Sequence, residues 1–91
     1  MTTKSYFISA ESRTANTTSI HTTSVSNISE STANGIITEV TRDMVAPIAE
    51  KYGNTMDWSV LHETDHMRIS KFVWHKNNKV VAEVIINIVR N

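Results

Sequence analysis

One pentapeptide in this chain has the spacing of a catalytic motif: His62-Glu63-Thr64-Asp65-His66 matches H-E-x-x-H letter for letter. On a helix, that spacing stacks two imidazoles one turn apart around a zinc ion, and the intervening glutamate activates the metal-bound water. The chemistry needs the helix, a third protein ligand and a cleft. Thr64 and Asp65 are weak helix formers, and the flanks 58–61 and 67–74 read as strands. Nothing singles out His21, His75 or an acid as the third ligand. The segment is therefore expected to be a polar connection between strands. His62 and His66 remain only weak candidates for a metal, with no catalytic residue and no cofactor assigned.

A second group of residues suggests recognition rather than catalysis. Arg68, Ser70, Phe72 and Trp74 alternate along one strand, and a hairpin would set them opposite Asn87, Ile85, Glu83 and Val81. A sheet face given to solvent is normally polar, whereas this one mixes aromatic, aliphatic and basic side chains. Arg68, Phe72, Trp74, Lys76, Val81 and Ile85 are accordingly the predicted partner-binding residues, because exposed aromatics beside arginine are typical anchors. Covering by the N-terminal segment or by a second copy of the chain is the plainer alternative. If the face is a recognition surface, exchanging Trp74 for alanine should leave the fold intact.

Other chemistries lack their residues. With only Gly35 and Gly53 there is no loop to cradle a phosphate, and without cysteine there is neither a disulfide framework nor a thiolate site. Glu39, Asp43 and Glu50 alternate with Arg42 and Lys51, as on a solvated helix face. Nine basic residues balance nine acidic ones over 91 residues, which argues against a dedicated nucleic-acid binder. The apolar run near the N-terminus, Tyr6-Phe7-Ile8, is too short for a signal-peptide core or a membrane span. A cytoplasmic protein with no membrane partner is the expectation, and the matches at Asn16-Thr17-Thr18 and Asn27-Ile28-Ser29 to the glycosylation pattern read as chance.

The elements that must position these residues follow from periodicity. The length suits one small domain spanning 1–91. Residues 1–33 are rich in Ser and Thr. Tyr6, Ile8 and Ala10 share one face of a strand in 5–10, and 17–26 reads as a weakly anchored edge strand, with partial disorder of 11–33 as the competing reading. Ala33, Ile36, Ile37, Val40, Met44, Ile48 and Tyr52 form a helical stripe. Ser29, Ser31 or Thr32 is its expected N-cap and Gly53 its C-terminal stop, with a kink or break at Pro47. The dipeptide Asn34-Gly35 argues for a hairpin turn instead, but seven stripe positions outweigh it.

Residues 58–63 form a short strand, and Asn77-Asn78 is a tight turn between two longer ones. A regular hairpin about that turn opposes His75 with Val80, Trp74 with Val81, Val73 with Ala82, Phe72 with Glu83 and Ile69 with Ile86. Met67, Ile69, Val73, Val80, Ala82, Val84, Ile86 and Ile88 would then face the helix. The predicted class is α+β, a single antiparallel sheet packed on one central helix in the order β(β)αβββ.

The functional expectation is a small non-enzymatic binding or regulatory protein, of the kind bacteria and bacteriophages use as accessory factors. It would act on a protein partner or as a homodimer. A nucleic-acid-binding module using the same aromatics with Arg68, Lys71, Lys76, Lys79 and Arg90 is the alternative. A zinc-dependent hydrolase at His62, Glu63 and His66 is the more remote one.

Overall fold

The computed structural model describes residues 3–91. Strands β1 (Thr3–Thr14) and β2 (Thr18–Ser29) form a hairpin, followed by helix α1 (Glu30–Tyr52) and the meander β3 (Asp57–Glu63), β4 (Met67–Lys76) and β5 (Lys79–Arg90). All pairs are antiparallel, and the sheet order is β2-β1-β5-β4-β3. The predicted class and element order hold. The last strand in the chain is thus the central one, and β2 and β3 are the two edges. No described helix is long and apolar enough to cross a membrane.

The N-terminal third is strand from Thr3 onward rather than a mobile arm. Tyr6, Ile8 and Ala10 are buried as their alternation requires, and they pair with Arg90, Ile88 and Ile86 of β5. The β1–β2 ladder slips once, between Lys4 and Tyr6. There Asn27 takes a positive φ of 57°, a conformation that asparagine tolerates better than most residues. Met1 and Thr2 lie outside the described residues.

Helix α1 starts where capping chemistry directs. The Ser29 hydroxyl accepts from the Thr32 N–H at 3.2 Å, and Glu30 places a negative charge in the first turn. Gly53 stops the helix at φ 96°, donating its N–H to the Ala49 carbonyl at 2.7 Å. The predicted stripe is the buried one, with Ala33, Val40 and Ile48 in the core and Ile36, Ile37, Met44 and Tyr52 packed against it. The helix is not divided at Pro47. Pro47 and Asp43, whose carbonyl the proline cannot serve, are both exposed, so water can take the missing bond. Asn34-Gly35 makes no turn and lies inside the helix.

The C-terminal hairpin turns at Asn77 and Asn78, whose φ angles of 53° and 64° suit a two-residue turn. His75 opposes Val80 as expected, but the ladder then slips by one residue. Val81 is a bulge, and Trp74 opposes Ala82, Val73 opposes Glu83 and Phe72 opposes Val84. Since side chains alternate strictly, one added residue turns β4 over relative to β5. The predicted core set for β4 is therefore wrong. Met67, Ile69 and Val73 lie on the face away from the helix and Val80 is exposed, whereas Ser70 and Trp74 are buried beneath the helix side. Ala82, Val84, Ile86 and Ile88 are core, as read from the sequence.

Trp74 is 1% exposed and donates its indole N–H to the Gly53 carbonyl at 3.0 Å, tying β4 to the stop of α1. Replacing it with alanine should cost about 3–5 kcal/mol, enough to threaten a small domain. Trp74→Phe should cost less, since it keeps an aromatic body and loses only the hydrogen bond and part of the volume. Urea unfolding followed by circular dichroism reads both. A Cβ at Gly35 would meet nothing within 4 Å, so Gly35→Ala should raise stability by about 0.5–1 kcal/mol in the same assay.

Candidate binding surface

A helix about 10 Å wide cannot roof five strands spaced about 4.8 Å apart. Helix α1 packs on β1, β2 and β5. On β4 the helix-side residues Ser70 and Trp74 are buried, but beyond them the helix side of edge strand β3 is left uncovered, and this wing displays an aromatic cluster. Trp58 pairs with Phe72 across β3 and β4, and Val60 pairs with Ser70. Because Phe72 shares its face with Val84 and Trp74, Trp58 and Val60 point to the helix side too. Trp58 is 55% exposed and Val60 38%. Phe72 is half-buried, leaning on the core at one end of the cluster. The Arg68 guanidinium lies 6.0 Å from the centre of the Trp58 ring, with the Glu63 carboxylate 3.6 Å from its Nε. That nitrogen is buried and has no hydrogen-bond partner.

The six predicted partner-binding residues do not share a surface. Trp74 is core, Phe72 and Arg68 lie on the helix side, and Val81 sits at the bulge packed against the core. Ile85 faces the opposite side, and Lys76 is exposed beside the turn. The bulge is the cause, because it carries Arg68, Phe72 and Trp74 to the face opposite Ile85. Two of the six, Arg68 and Phe72, belong to the wing cluster. Trp58 and Val60 were readable as one side of a short strand, but nothing local in the sequence shows that the helix stops short of them.

The face away from the helix is more evenly balanced. Phe7, Val89 and Met67 form an apolar row across β1, β5 and β4. Farther along, the Glu83 carboxylate takes Lys71 at 3.2 Å and Arg13 at 3.9 Å, and Arg13 also meets Glu11 at 2.6 Å. The guanidinium of Arg13 is held above its ordinary pKa, chiefly by the hydrogen bond to Glu11.

The H-E-x-x-H segment is not helical. His62 and Glu63 end β3, and Thr64 opens a turn in which its hydroxyl accepts the N–H groups of His66 and Met67. His62 pairs with Ile69 on the face away from the helix, while His66 lines a surface depression with Lys4, Glu30, Asp65 and Arg90. Among the described residues, no three His, Cys, Asp or Glu side chains are grouped to hold a metal. The basic residues of the nucleic-acid reading are dispersed as well. Lys71 is tied to Glu83, Arg68 faces the other side, Lys76 and Lys79 flank the turn, and Arg90 donates to the Asp65 carbonyl at the far end.

Comparison with known proteins finds no match, whether among family models, curated proteins or solved structures.

Proposed function

We propose that this protein is a small non-enzymatic binding module whose recognition surface is the exposed helix side of edge strand β3 with the adjoining Phe72 and Arg68 of β4. The supporting observation is Trp58, a large aromatic more than half exposed in regular strand, flanked by Val60 and Phe72 and approached by Arg68. An exposed tryptophan beside arginine is the kind of group that concentrates binding energy at interfaces. The Arg68 side chain, part-exposed at 38%, can offer a protein partner guanidinium donors for a carbonyl or carboxylate.

A protein partner is favoured over nucleic acid because the basic side chains are scattered over both faces and both ends of the sheet. The two differ in salt response. A nucleic-acid complex held by phosphate contacts weakens steeply as salt rises, whereas an apolar contact does not.

The decisive variant is Trp58→Ala. As an exposed site it should shift unfolding free energy by less than about 0.5 kcal/mol. Partner capture from lysate should fall at least about tenfold, the ~1.4 kcal/mol loss expected of an anchor. Quantitative pull-down with the two proteins, together with gel retardation of DNA and RNA at low salt, checks this. Undiminished capture by Trp58→Ala, or retardation abolished by that exchange, would remove the protein-binding reading of this wing.

A further inference from the structure

The two edges of the sheet are unlike, and the difference points to an occupant for one of them. Edge strand β3 carries devices that keep sheet edges apart: it is short and has Asp57 and Glu63 at its ends. Edge strand β2 is twelve residues long, with the sequence Thr-Ser-Ile-His-Thr-Thr-Ser-Val-Ser-Asn-Ile-Ser. It contains no Lys, Arg, Asp, Glu or Pro. It pairs with β1 without interruption from Thr18 to Val25. Its outer side therefore presents a straight, uncharged row of backbone donors and acceptors.

Which residues form that row follows from the β1–β2 turn. Thr14 donates its N–H to the Thr17 carbonyl at 2.9 Å, so Thr14 and Thr17 direct their backbone groups at one another. Alternation carries this along the ladder. Ser19, His21, Thr23 and Val25 face β1, while Thr18, Ile20, Thr22 and Ser24 turn their N–H and C=O groups outward. The side chains of this second set stand on the face away from the helix, where Ile20 is 69% exposed.

We infer that the outer edge of β2 pairs antiparallel with β2 of a second copy, about a two-fold axis at Thr22, making one continuous ten-stranded sheet. An axis at Thr22 matches residue with residue of the same face, so both helices lie on the same side. It sets Thr22 against its own copy, Ile20 against Ser24 of the partner subunit, and Ser19 against Val25 of the partner subunit. The pairing spans residues 19–25, and its three outward pairs, Thr22 with its own copy and Ile20 with Ser24 of the partner subunit twice over, exchange two bonds each, about six hydrogen bonds in all. A charged edge would oppose like charges across such an axis, whereas β2 brings none together. Net charge of zero adds no long-range repulsion. Hydroxyl pairs across strands add their own small contribution. A second copy is the favoured occupant because an uncharged edge whose outward residues are Thr, Ile, Thr and Ser complements itself. The wings carrying Trp58 are left at the two outer ends, so the dimer presents two separate recognition surfaces.

Light scattering on the full chain provides the test. The expected mass is twice the 10.2 kDa of the chain. Thr22→Lys, an exposed exchange that keeps the N–H, should give a monomer with unchanged circular dichroism, and the dimer should return in molar salt, where the Debye length is about 3 Å. Thr22→Pro, which removes one outward donor, should also be monomeric without recovery in salt. If the proline variant does not fold, the lysine variant decides alone. A wild-type monomer at every concentration, or a dimer that survives Thr22→Lys at low salt, overturns the inference. So does a dimer that Ile85→Lys dissociates and Thr22→Lys does not, since that places the contact on the sheet face. Trp58→Ala should leave the mass unchanged, so failure of the wing as a recognition surface would not be mistaken for failure of the dimer.

Discussion

The extra residue at Val81 is the constraint on which the rest of the molecule depends. Beyond it, every residue of β4 has the opposite orientation from the one a regular hairpin would impose. Trp74 enters the core, where its ring fills space beside the helix terminus and its N–H holds the Gly53 carbonyl. Without the bulge, Lys71 and Val73 would lie beneath the helix, and Trp74 would stand in solvent. A buried lysine without a partner carries a larger penalty than a register slip, so the bulge is the cheaper solution. The slip also turns Phe72 and Arg68, and with them their β3 neighbour Trp58, to the helix side, and thereby sets the aromatic cluster there.

Much of the fold was legible because its signals are local. The helical stripe from Ala33 to Tyr52, the cap at Ser29, the stop at Gly53 and the turn at Asn77-Asn78 each depend on a few neighbouring residues. Central strand β5 declared itself by alternation, with Ala82, Val84, Ile86 and Ile88 all buried. The candidate site was less legible. A bulge leaves no composition signal: Val-Val-Ala at 80–82 reads equally well in either register, and both faces of β4 are apolar enough to be core. The exposure of Trp58 depends on how far the helix reaches across the sheet, a property of tertiary packing that no window of sequence contains. Asn34-Gly35 is a turn signal, but the seven-position stripe outweighs it, and the helix runs through it.

The two sides of the sheet handle their exposed area differently. Away from the helix, apolar side chains are interleaved with an ion network centred on Glu83, and each of those exposed pairs is worth little alone, about 0–1 kcal/mol. The network keeps the face wettable while the hydrocarbon parts of Lys71 and Arg13 spread over their neighbours. On the wing, a single arginine and a single glutamate do that task for a tryptophan, a valine and part of a phenylalanine.

The sheet order also sets the sequence of events in folding. The two hairpins, β1–β2 and β4–β5, close from neighbouring residues and can form early. The β1–β5 seam joins Tyr6 to Arg90, nearly the whole chain apart, and it must wait for β5. Closing so long a loop is entropically unfavourable until the apolar faces of Ile8 and Ile88 meet, which places such topologies on the order of milliseconds to seconds. Until that seam forms, helix α1 can rest only on β1 and β2 and lacks the part of its floor that β5 supplies. The strand made last in the chain is thus the keystone, since the core closes only when β5 seats between β1 and β4.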